Sequence, residues 1–535
     1  MKSHCISFRQ IPHSTKLFLD YLDFATSVRQ FYPRSPYLLE WAKDEVSQIR
    51  YPSERRGQIA TILARQNAKF GASPKTLENI ERLRSGAYAV VTGQQVGLFG
   101  GPVFSIYKAL TAVKLAQEVE KLGINCVPIF WLATEDHDLA EVDHLRIPDA
   151  EGRLQTITTG VRGKADAPVG TVNFGPEISE TISRTAELLG ESEWTQLLSQ
   201  CYRPGESFGS GFAMLFARVF ADFGVILLDG ADPELDRIAV PLYSSAISRA
   251  QEITQAVVAR GAQLESAGYH QQVRVTDSST LLFLIRDGVR TPVQATSTGE
   301  LSAGEEKFSL QQLSALASSS PEFFSPNVLC RPVIQDYLLP TLAYVGGSAE
   351  IAYFAQAAVV YEKLVGRVTP VLPRFSATIV EPKTHALLEK NHLVGTDAFH
   401  GPEVLRELIG ARRLPPDLQS SFDRATVAVE NSMKSVQEAI AQLDKTLVES
   451  AENAKSKMIY QIANLRARAS RAELRQSEVV GRHAEVLGNA LYPDKTLQER
   501  EFAGIYFLAK YGREFMNGLL EQVKPDCLNH QMIAL

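Results

Sequence analysis

The sequence lacks the features of a membrane or secreted protein. It contains no run of about 18 uncharged apolar residues, the length that a helix needs to cross a bilayer. Its first ten residues, MKSHCISFRQ, lack the apolar stretch of a signal peptide. We therefore expect a cytoplasmic protein with no membrane partner.

Cysteine is also scarce. The five cysteines are scattered and none has CxxC spacing: Cys5, Cys126, Cys201, Cys330 and Cys527. An odd, dispersed set predicts no disulfide framework. Cys126 and Cys330 lie in apolar runs, which is typical of inert core residues.

No charge of one sign predominates. The chain has 55 Lys and Arg against 61 Asp and Glu, a formal net charge of −6, so we expect no nucleic-acid partner. With 45% apolar and 22% charged residues, the composition is that of an ordinary globular protein. Its 535 residues predict two to four structural units.

The first clear structural pattern is a strand–loop–helix–strand unit. The apolar run 87–91 (AYAVV) precedes a loop with four glycines, and Pro102 is suited to begin the helix that follows. A second apolar run, 127–133 (VPIFWLA), comes next. This order predicts parallel strands in an α/β core.

The same alternation of predicted helices and strands occurs twice more along the chain. This spacing predicts a core interrupted by insertions. A helix at 212–222 and a strand at 224–228 lead into a long helical pattern at 233–267, and a helix at 350–364 precedes a strand at 368–372. The predicted division is 1–144 for N-terminal helices and the first half of the core, 145–205 for a first insertion, 206–269 for core, 270–325 for a second insertion, 326–384 for the second half of the core, 385–490 for a helical arm, and 491–535 for a C-terminal helical segment packing on the core.

Residues 417–480 contain neither proline nor glycine and carry apolar residues at heptad spacing. As one helix, this segment would extend roughly 95 Å. A helical hairpin that turns near 447–451, with Ser450 capping its second helix, is the favoured interpretation. Such a stripe predicts a coiled coil, either within the hairpin or with a second subunit.

The loop TGQQVGLFGGP is the first candidate site. Ligands bind beyond the carboxyl ends of strands in open α/β sheets, and helix N-termini offer free N–H groups to phosphate. The spacing matches neither a Walker A loop nor GxGxxG, and glycines that serve only a tight turn are the alternative. The candidate residues of this region are Thr92, Gly93, Gln94, Gln95, Gly97, Gly100, Gly101, Tyr107 and Lys108.

A second candidate is the polar cluster that follows 127–133. Glu135, Asp136, His137 and Asp138, with His144 nearby, could bind a metal, anchor an amine or ribose, or act as acid and base. A capped helix start with solvated carboxylates is the alternative. No HExxH pattern or other zinc ligand set is visible. Weaker candidates lie farther along the chain: Gln335, Asp336, Gly346, Gly347, Glu350, Arg374 and Ser376.

These stretches together resemble the BshC family of bacillithiol biosynthesis. The segments that carry the resemblance cover nearly the whole chain: VVTGQQVGLFGGPVFSIYKALTAVKLAQE (90–118), VPIFWLATEDHDLAEVDH (127–144), FSPNVLCRPVIQDYLLPTLAYVGGSAEIAYFAQ (324–356), LPRFS (372–376) and LYPDKTLQEREF (491–502).

The resemblance implies a Rossmann-like parallel-sheet, nucleotide-binding core similar to class I aminoacyl-tRNA synthetases. Connecting-peptide insertions and a long helical coiled-coil arm that forms a homodimer belong to this plan. It also implies a ligase that uses ATP, with Mg²⁺, to add cysteine to the amine of glucosaminyl-malate. The HIGH and KMSKS motifs of class I synthetases are absent, so loop N–H groups, Lys108 and Arg374 are expected to bind phosphate.

The roles implied for the candidates follow from this chemistry. Glu135 to Asp138 would hold the amino substrate or take its proton, while Asp336 and Glu350 would hold the cysteine ammonium. Two alternatives are a nucleotidyltransferase that activates another small acid, and a nucleotide-binding coiled-coil scaffold.

Overall fold

A five-stranded parallel sheet forms the centre of the protein in a computed structural model, which describes residues 1–164, 166–296, 300–412, 416–476 and 478–535. Its strands are β1 (Tyr88–Gln94), β2 (Cys126–Leu132), β3 (Ile226–Asp229), β4 (Thr341–Gly346) and β5 (Val371–Pro373). They lie in the order β5-β4-β1-β2-β3, and every neighbouring pair is parallel. The strand order reverses between β1 and β4, where open α/β sheets bind ligands. The predicted Rossmann-like core is confirmed.

The strands are apolar on both faces because helices cover both sides of the sheet. All seven residues of β2 are buried. Ile129 and Trp131 belong to one core cluster and Phe130 and Leu132 to another, as the two-residue period of a strand requires. Helix α1 (Phe104–Glu120) connects β1 to β2 and packs against both. It begins two residues after Pro102, which the sequence had suggested as its start.

In the N-terminal part of the sequence, helices and short strands surround the core. Before β1, four helices cover the sheet: Lys16–Leu22, Leu38–Val46, Ser53–Phe70 and Pro74–Arg84. Between β2 and β3 the chain forms a short helix, an antiparallel strand pair and three further helices: Leu139–Val142, His144–Pro148, Leu154–Thr158, Ile178–Leu189, Glu193–Cys201 and Phe208–Val219.

The long helical pattern predicted at 233–267 is two helices. Helix α2 (Pro233–Ser248) and the helix Ala250–Ser266 meet at Arg249. A mostly antiparallel insertion follows, formed by Ser279–Arg286, Val289–Ala295, Leu301–Ala303, Glu306–Phe308, helix Leu310–Ser319 and strand Phe324–Pro326. Helix α3 (Arg331–Leu338) then leads to β4, and α4 (Ser348–Leu364) connects β4 to β5.

The two ends of the chain meet in a three-stranded sheet. Lys2–Ile6 pairs antiparallel with His530–Ala534, which also pairs with Ala377–Val380. This arrangement brings Cys5 and Cys527 together as a disulfide, a pair that the prediction of no disulfide framework had not anticipated. The partners are separated by 522 residues, and their spacing in the sequence gave no sign of the contact. Cys126 and Cys330 are buried, and burial raises the pKa of each thiol to about 12, which confirms their assignment to the core.

The predicted helical hairpin is present. Helix α5 (Pro416–Leu443) and helix α6 (Val448–Gln476) pack against each other, and the turn lies slightly before the predicted position. Asp444 accepts a hydrogen bond from the Thr446 N–H at this turn, whereas Ser450 lies inside α6 and does not cap it. The other C-terminal helices are Pro382–Lys390, Pro402–Arg412, Glu478–Leu491, Gln498–Glu501 and Gly504–Gln522. None of the helices in the described ranges is both long and apolar enough to cross a membrane.

Candidate functional site

A cavity of about 250 Å³ opens at the carboxyl ends of β1, β2 and β4. This position is the one that the reversal in strand order favours for ligand binding. We call it the central cavity. Among the residues proposed from the sequence, those that line it are Gly93, Gln94, Gln95, Lys108, Asp136, Gln335, Gly347, Glu350 and Arg374.

One hydrogen bond connects the two main candidate stretches. Gln95 Nε2 donates to Asp136 Oδ2 at 3.0 Å, which joins the loop after β1 to the loop after β2. Asp136 Oδ1 accepts from the backbone N–H of His137 at 2.8 Å. Arg331 Nη1 lies 4.0 Å from Asp136 Oδ2. Asp136 is therefore fixed at the rim of the cavity, next to a cation.

A buried ion pair links α1 to the start of α4. Lys108 Nζ lies 2.6 Å from Glu350 Oε2 and also donates to the Gly93 carbonyl at 2.8 Å. Glu350 in turn accepts from Tyr344 and from the Gly347 N–H, each at 2.7 Å. Because these contacts use the carboxylate fully, Glu350 holds the walls of the cavity together.

The pKa shifts of this pair have opposing causes. Burial lowers the pKa of the Lys108 ammonium, although Glu350 opposes this effect. Burial alone would raise the pKa of Glu350, but the neighbouring Lys108 charge and its hydrogen bonds bring it below the ordinary value. The carboxylate is therefore ionised at neutral pH.

Arg374 enters the cavity from the loop after β5, and its charge is paired. Its Nη2 donates to Glu499 Oε1 at 2.6 Å. Ser376 and the Ala377 N–H also donate to Glu499, and Ser376 contacts the Nδ1 atom of His530 at 2.8 Å. Burial lowers the pKa of His530 to about 4, so this imidazole is neutral at pH 7. Ser376 thus belongs to the buried network behind Arg374.

Sequence reasoning missed two arginines in this cavity. Arg331 lies in the first turn of α3 and Arg500 in the short helix Gln498–Glu501. Arg500 is exposed, and within the described ranges its side chain makes no hydrogen bond or ion pair. Nothing local in the sequence shows that Arg500 returns to a loop some 400 residues earlier in the chain.

A neighbouring cavity, also of about 250 Å³, shares Gln94, Gln95 and Arg500 with the central one. Gly97 and His144 line this second space and not the first. The His144 Nδ1 atom lies 3.1 Å from the Ala140 carbonyl oxygen. The two cavities therefore adjoin at these shared residues.

Several proposed residues of the glycine loop lie outside the central cavity. Thr92 donates to the Val345 carbonyl at 2.9 Å inside the sheet. Gly100 and Gly101 have φ of +91° and +68°, and Gly100 packs against Leu215 and Phe216. These two glycines therefore serve the turn, which was the alternative interpretation.

Tyr107 and Gly346 also lie outside the central cavity. Tyr107 is fully buried and packs edge-on against Phe375, with the ring centroids 5.1 Å apart. A side chain at Gly346 would meet the Cβ atom of Glu350 at 2.8 Å, so this glycine permits close packing. Both positions have structural roles in the described fold.

The polar cluster after β2 does not act as one group. Of its four members, only Asp136 faces the central cavity. Asp138 caps the helix Leu139–Val142, and the Nδ1 atom of His137 lies 3.1 Å from Arg290 Nη1. Glu135 lines a different cavity on the other side of the loop.

Asp336 also lies away from the central cavity. Its Oδ1 accepts from Thr369 at 2.6 Å and from Arg367 at 3.3 Å. Burial raises the pKa of its carboxyl, although Arg367 opposes the shift. The side chain is part of a buried network and does not reach a ligand at the sheet edge.

The charges around the central cavity suit a phosphate-bearing ligand. Four cationic side chains line it against three carboxylates: Lys108, Arg331, Arg374 and Arg500 against Asp136, Glu141 and Glu350. Guanidinium groups pair well with phosphate oxygens. ATP therefore fits the residues present. Among the described residues, no group of three or more His, Cys, Asp or Glu side chains could hold a metal ion.

The fold and the site define the class of protein. It is an α/β protein with a Rossmann-like sheet, a charged cleft where the strand order reverses, two insertions and a helical hairpin. Comparison with protein families gives the narrower assignment. Residues 1–375 match the family described as Bacillithiol biosynthesis BshC, N-terminal Rossmann-like domain. Residues 377–535 match Bacillithiol biosynthesis BshC, C-terminal coiled-coil domain. The chain belongs to the BshC family, as its resemblance had indicated.

Curated relatives cover nearly the whole chain. The protein is 48% identical over 531 residues to one from Koribacter versatilis (strain Ellin345), with 99% of each chain covered. It is 35% identical to one from Solibacter usitatus (strain Ellin6076), over 99% of this chain and 100% of the relative. A relative from Geobacillus kaustophilus (strain HTA426) is 31% identical over 98% of this chain and 99% of its own. Each is named "Putative cysteine ligase BshC".

Proposed function

We propose that this protein is an ATP-dependent ligase that forms an amide bond between the carboxyl group of cysteine and the amine of glucosaminyl-malate. This reaction would be the last step of bacillithiol biosynthesis. The names of the relatives support cysteine as a substrate, and membership of the family supports a role in bacillithiol biosynthesis. The structural observation that carries the proposal is the cavity in which Asp136, bonded to Gln95, faces Arg331 and Arg500.

The chemistry explains why a nucleotide is needed. A carboxylate is a poor electrophile at neutral pH, and ATP, when bound with Mg²⁺, supplies the energy to activate it. The new C–N bond forms when the amine nitrogen attacks the activated carbonyl carbon, and the phosphate-bearing oxygen leaves. The residues of this chain bind and orient the reactants and stabilise developing charge.

Each polar wall of the central cavity has a role in this proposal. Arg331 and Arg500 bind phosphate oxygens, since Arg500 has no ion-pair partner in the described part of the chain. Asp136 binds the attacking amine and receives its proton, in a position fixed by Gln95. Lys108 and Glu350 hold the loop after β1 against the start of α4. Roles in binding for Gln94, Gln335 and Gly347 stay predictions.

The test is a defined reaction with purified full-length protein, cysteine, glucosaminyl-malate, ATP and Mg²⁺. We expect bacillithiol by mass spectrometry and one ATP consumed per product. Exchange of labelled pyrophosphate into ATP, measured with cysteine alone, distinguishes adenylate activation from phosphate activation. The absence of both bacillithiol and ATP consumption would contradict the proposal. Exchange without product would favour the nucleotidyltransferase alternative.

We also propose a homodimer formed through the helical hairpin. None of the 28 residues of α5 is buried, although the helix has an apolar stripe. Val436, Leu443 and Leu465 are among the large apolar side chains that the hairpin exposes. Analytical ultracentrifugation tests this proposal, and Val436→Glu should shift the protein toward monomer. We place the reaction in the cytoplasm, where ATP is available.

A further inference from the structure

A cavity of about 190 Å³ lies beyond Trp131, which lines both this cavity and the central one. We call it the acidic cavity. Its walls come from the loops after β2 and β3, from α2 and α3, and from the strand Phe324–Pro326. Most of the wall is apolar, but three carboxylates line it: Glu135, Asp236 and Glu322.

The carboxylate of Glu135 has no partner in this cavity. The residue is only 6% exposed, and neither carboxylate oxygen has a hydrogen-bond partner among the described residues. The indole N–H of Trp131 is also buried and unpartnered within the same ranges. Buried polar groups are nearly always hydrogen-bonded, and a buried carboxylate without a partner is strongly unfavourable. Two such groups on one cavity indicate that a ligand satisfies them.

The nearest cations do not satisfy Glu135. Arg290 donates to Ser325 Oγ at 3.1 Å and to the Pro326 carbonyl at 2.6 Å, and it also contacts His137. Arg331 lies on the side of Asp136, and no ion pair joins it to Glu135 in the described structure. Neither cation makes a direct contact with the Glu135 carboxyl group, which is left available to a ligand.

We propose that the acidic cavity binds the primary ammonium group of a small ligand, with Glu135 as its counter-charge and Asp236 as a second acceptor. The apolar walls, which include Leu235, Ile334 and Leu338, contact the body of the ligand. An ammonium fits better than a metal ion, because no group of metal-ligating side chains is present among the described residues. The volume suits a ligand the size of an amino acid or an amino sugar. This inference rests on the proposed function and deepens it by giving Glu135 the ammonium group of a substrate, and the binding is measurable without ATP.

Binding should release protons. Burial raises the pKa of Glu135, while Arg331 and Arg290 oppose the shift and Asp136 adds to it. Burial also raises the pKa of Asp236 to about 8. Its Tyr243 hydrogen bond opposes this shift, and Glu135, Glu322 and Asp232 add to it. Asp236 therefore keeps its proton at pH 7 in the absence of an ammonium, and a bound ammonium favours the ionised carboxylates.

The test is calorimetric titration of the full-length protein without ATP, using matched pairs of probes. Cysteamine and D-glucosamine carry the ammonium, whereas 2-mercaptoethanol and N-acetylglucosamine lack it. We expect the amines to bind with proton release, seen as a binding enthalpy that depends on the ionisation enthalpy of the buffer. The amine that binds more tightly shows whether the apolar walls favour a ligand shaped like cysteamine or one shaped like glucosamine. The neutral partners should not bind.

Three variants locate the binding. Glu135→Gln should weaken amine binding at least tenfold, while Asp138→Asn, a matched change in the same cluster that faces neither cavity, should leave it unchanged. Trp131→Phe should abolish the change in intrinsic fluorescence that accompanies binding. If Glu135→Gln does not fold, Asp236→Asn replaces it, with the same tenfold criterion.

Three results would overturn the inference. The first is equal binding of the amines to Glu135→Gln and to the unmodified protein. The second is equal binding of the neutral probes and the amines. The third is displacement of the amines by millimolar Mg²⁺ or Ca²⁺, which would assign the cavity to a metal ion. Because ATP is absent from these titrations, failure of the ligase assay would not affect any of these results.

Discussion

Gln95 and Asp136 meet across a 3.0 Å hydrogen bond although they belong to different loops. The parallel register of β1 and β2 explains the contact, because Gln94 lies beside Leu132 at the carboxyl ends of the two strands. The residues that follow each strand therefore emerge at the same edge of the sheet. A bond between two loops at this position fixes the carboxylate at the mouth of the central cavity.

Replacing Asp136 by Asn should lower the rate of bacillithiol formation by about 100-fold, equivalent to roughly 2.7 kcal/mol. The amide can still bond to Gln95, so the loop keeps its shape, but the charge that binds the amine is lost. Steady-state product formation measures the effect. Asp138→Asn is the control and should retain full activity, since its carboxylate caps a helix and does not line the cavity. An Asp136→Asn enzyme with normal activity would remove this carboxylate from the mechanism.

Much of the architecture could be predicted from the sequence because the signals are local. The apolar runs before TGQQ and TEDHD are buried strands, and the lack of proline and glycine in 417–480 corresponds to the hairpin of α5 and α6. The meeting of the two loops also followed from parallel topology alone. Patterns of apolar residues thus determined the sheet and the edge at which a site forms.

Individual roles could not be predicted, because they depend on side-chain direction and on distant contacts. Glu135 and Asp136 are adjacent in sequence, yet they line different cavities. Arg500 and the Cys5–Cys527 pair reach their positions through tertiary folding, which leaves no local pattern. Asp336 was predicted to bind a ligand, but its carboxylate accepts hydrogen bonds from Arg367 and Thr369.

Removing the charge of Lys108 should destabilise the protein. Lys108→Met leaves Glu350 buried without its cation, and breaking a buried pair in this way typically costs about 3–5 kcal/mol. The midpoint of thermal unfolding should fall clearly in Lys108→Met and recover in part in Lys108→Met/Glu350→Gln, where no buried charge is left unpaired. A double variant less stable than the single variant would show that the pair is not the source of the effect.

Asp236 should make stability depend on pH. Its pKa is about 8 in the folded protein and near 3.8 when exposed, so the folded state binds the proton more tightly. The stabilisation from this group is fully present below about pH 4 and is lost as the pH rises to 8. Asp236→Asn removes the titration and keeps an acceptor for Tyr243. The gain in unfolding temperature of Asp236→Asn over the unmodified protein should grow from pH 5 to pH 8 and then level off. A gain that is the same at every pH would contradict the assignment.

Arg500 should determine the affinity for the nucleotide. It lines the central cavity without an ion-pair partner in the described ranges, so its guanidinium is free to bind phosphate. Losing hydrogen bonds to a charged group costs about 1.5–3 kcal/mol, so Arg500→Ala should raise the KM for ATP by roughly 10- to 150-fold. The KM for cysteine should change little, because the proposal assigns Arg500 to the phosphates alone. Lys495→Ala is the matched control: Lys495 is a nearby cation that does not line the central cavity, and its loss should leave both constants unchanged. Equal increases in both KM values would instead assign Arg500 to the shape of the whole cleft.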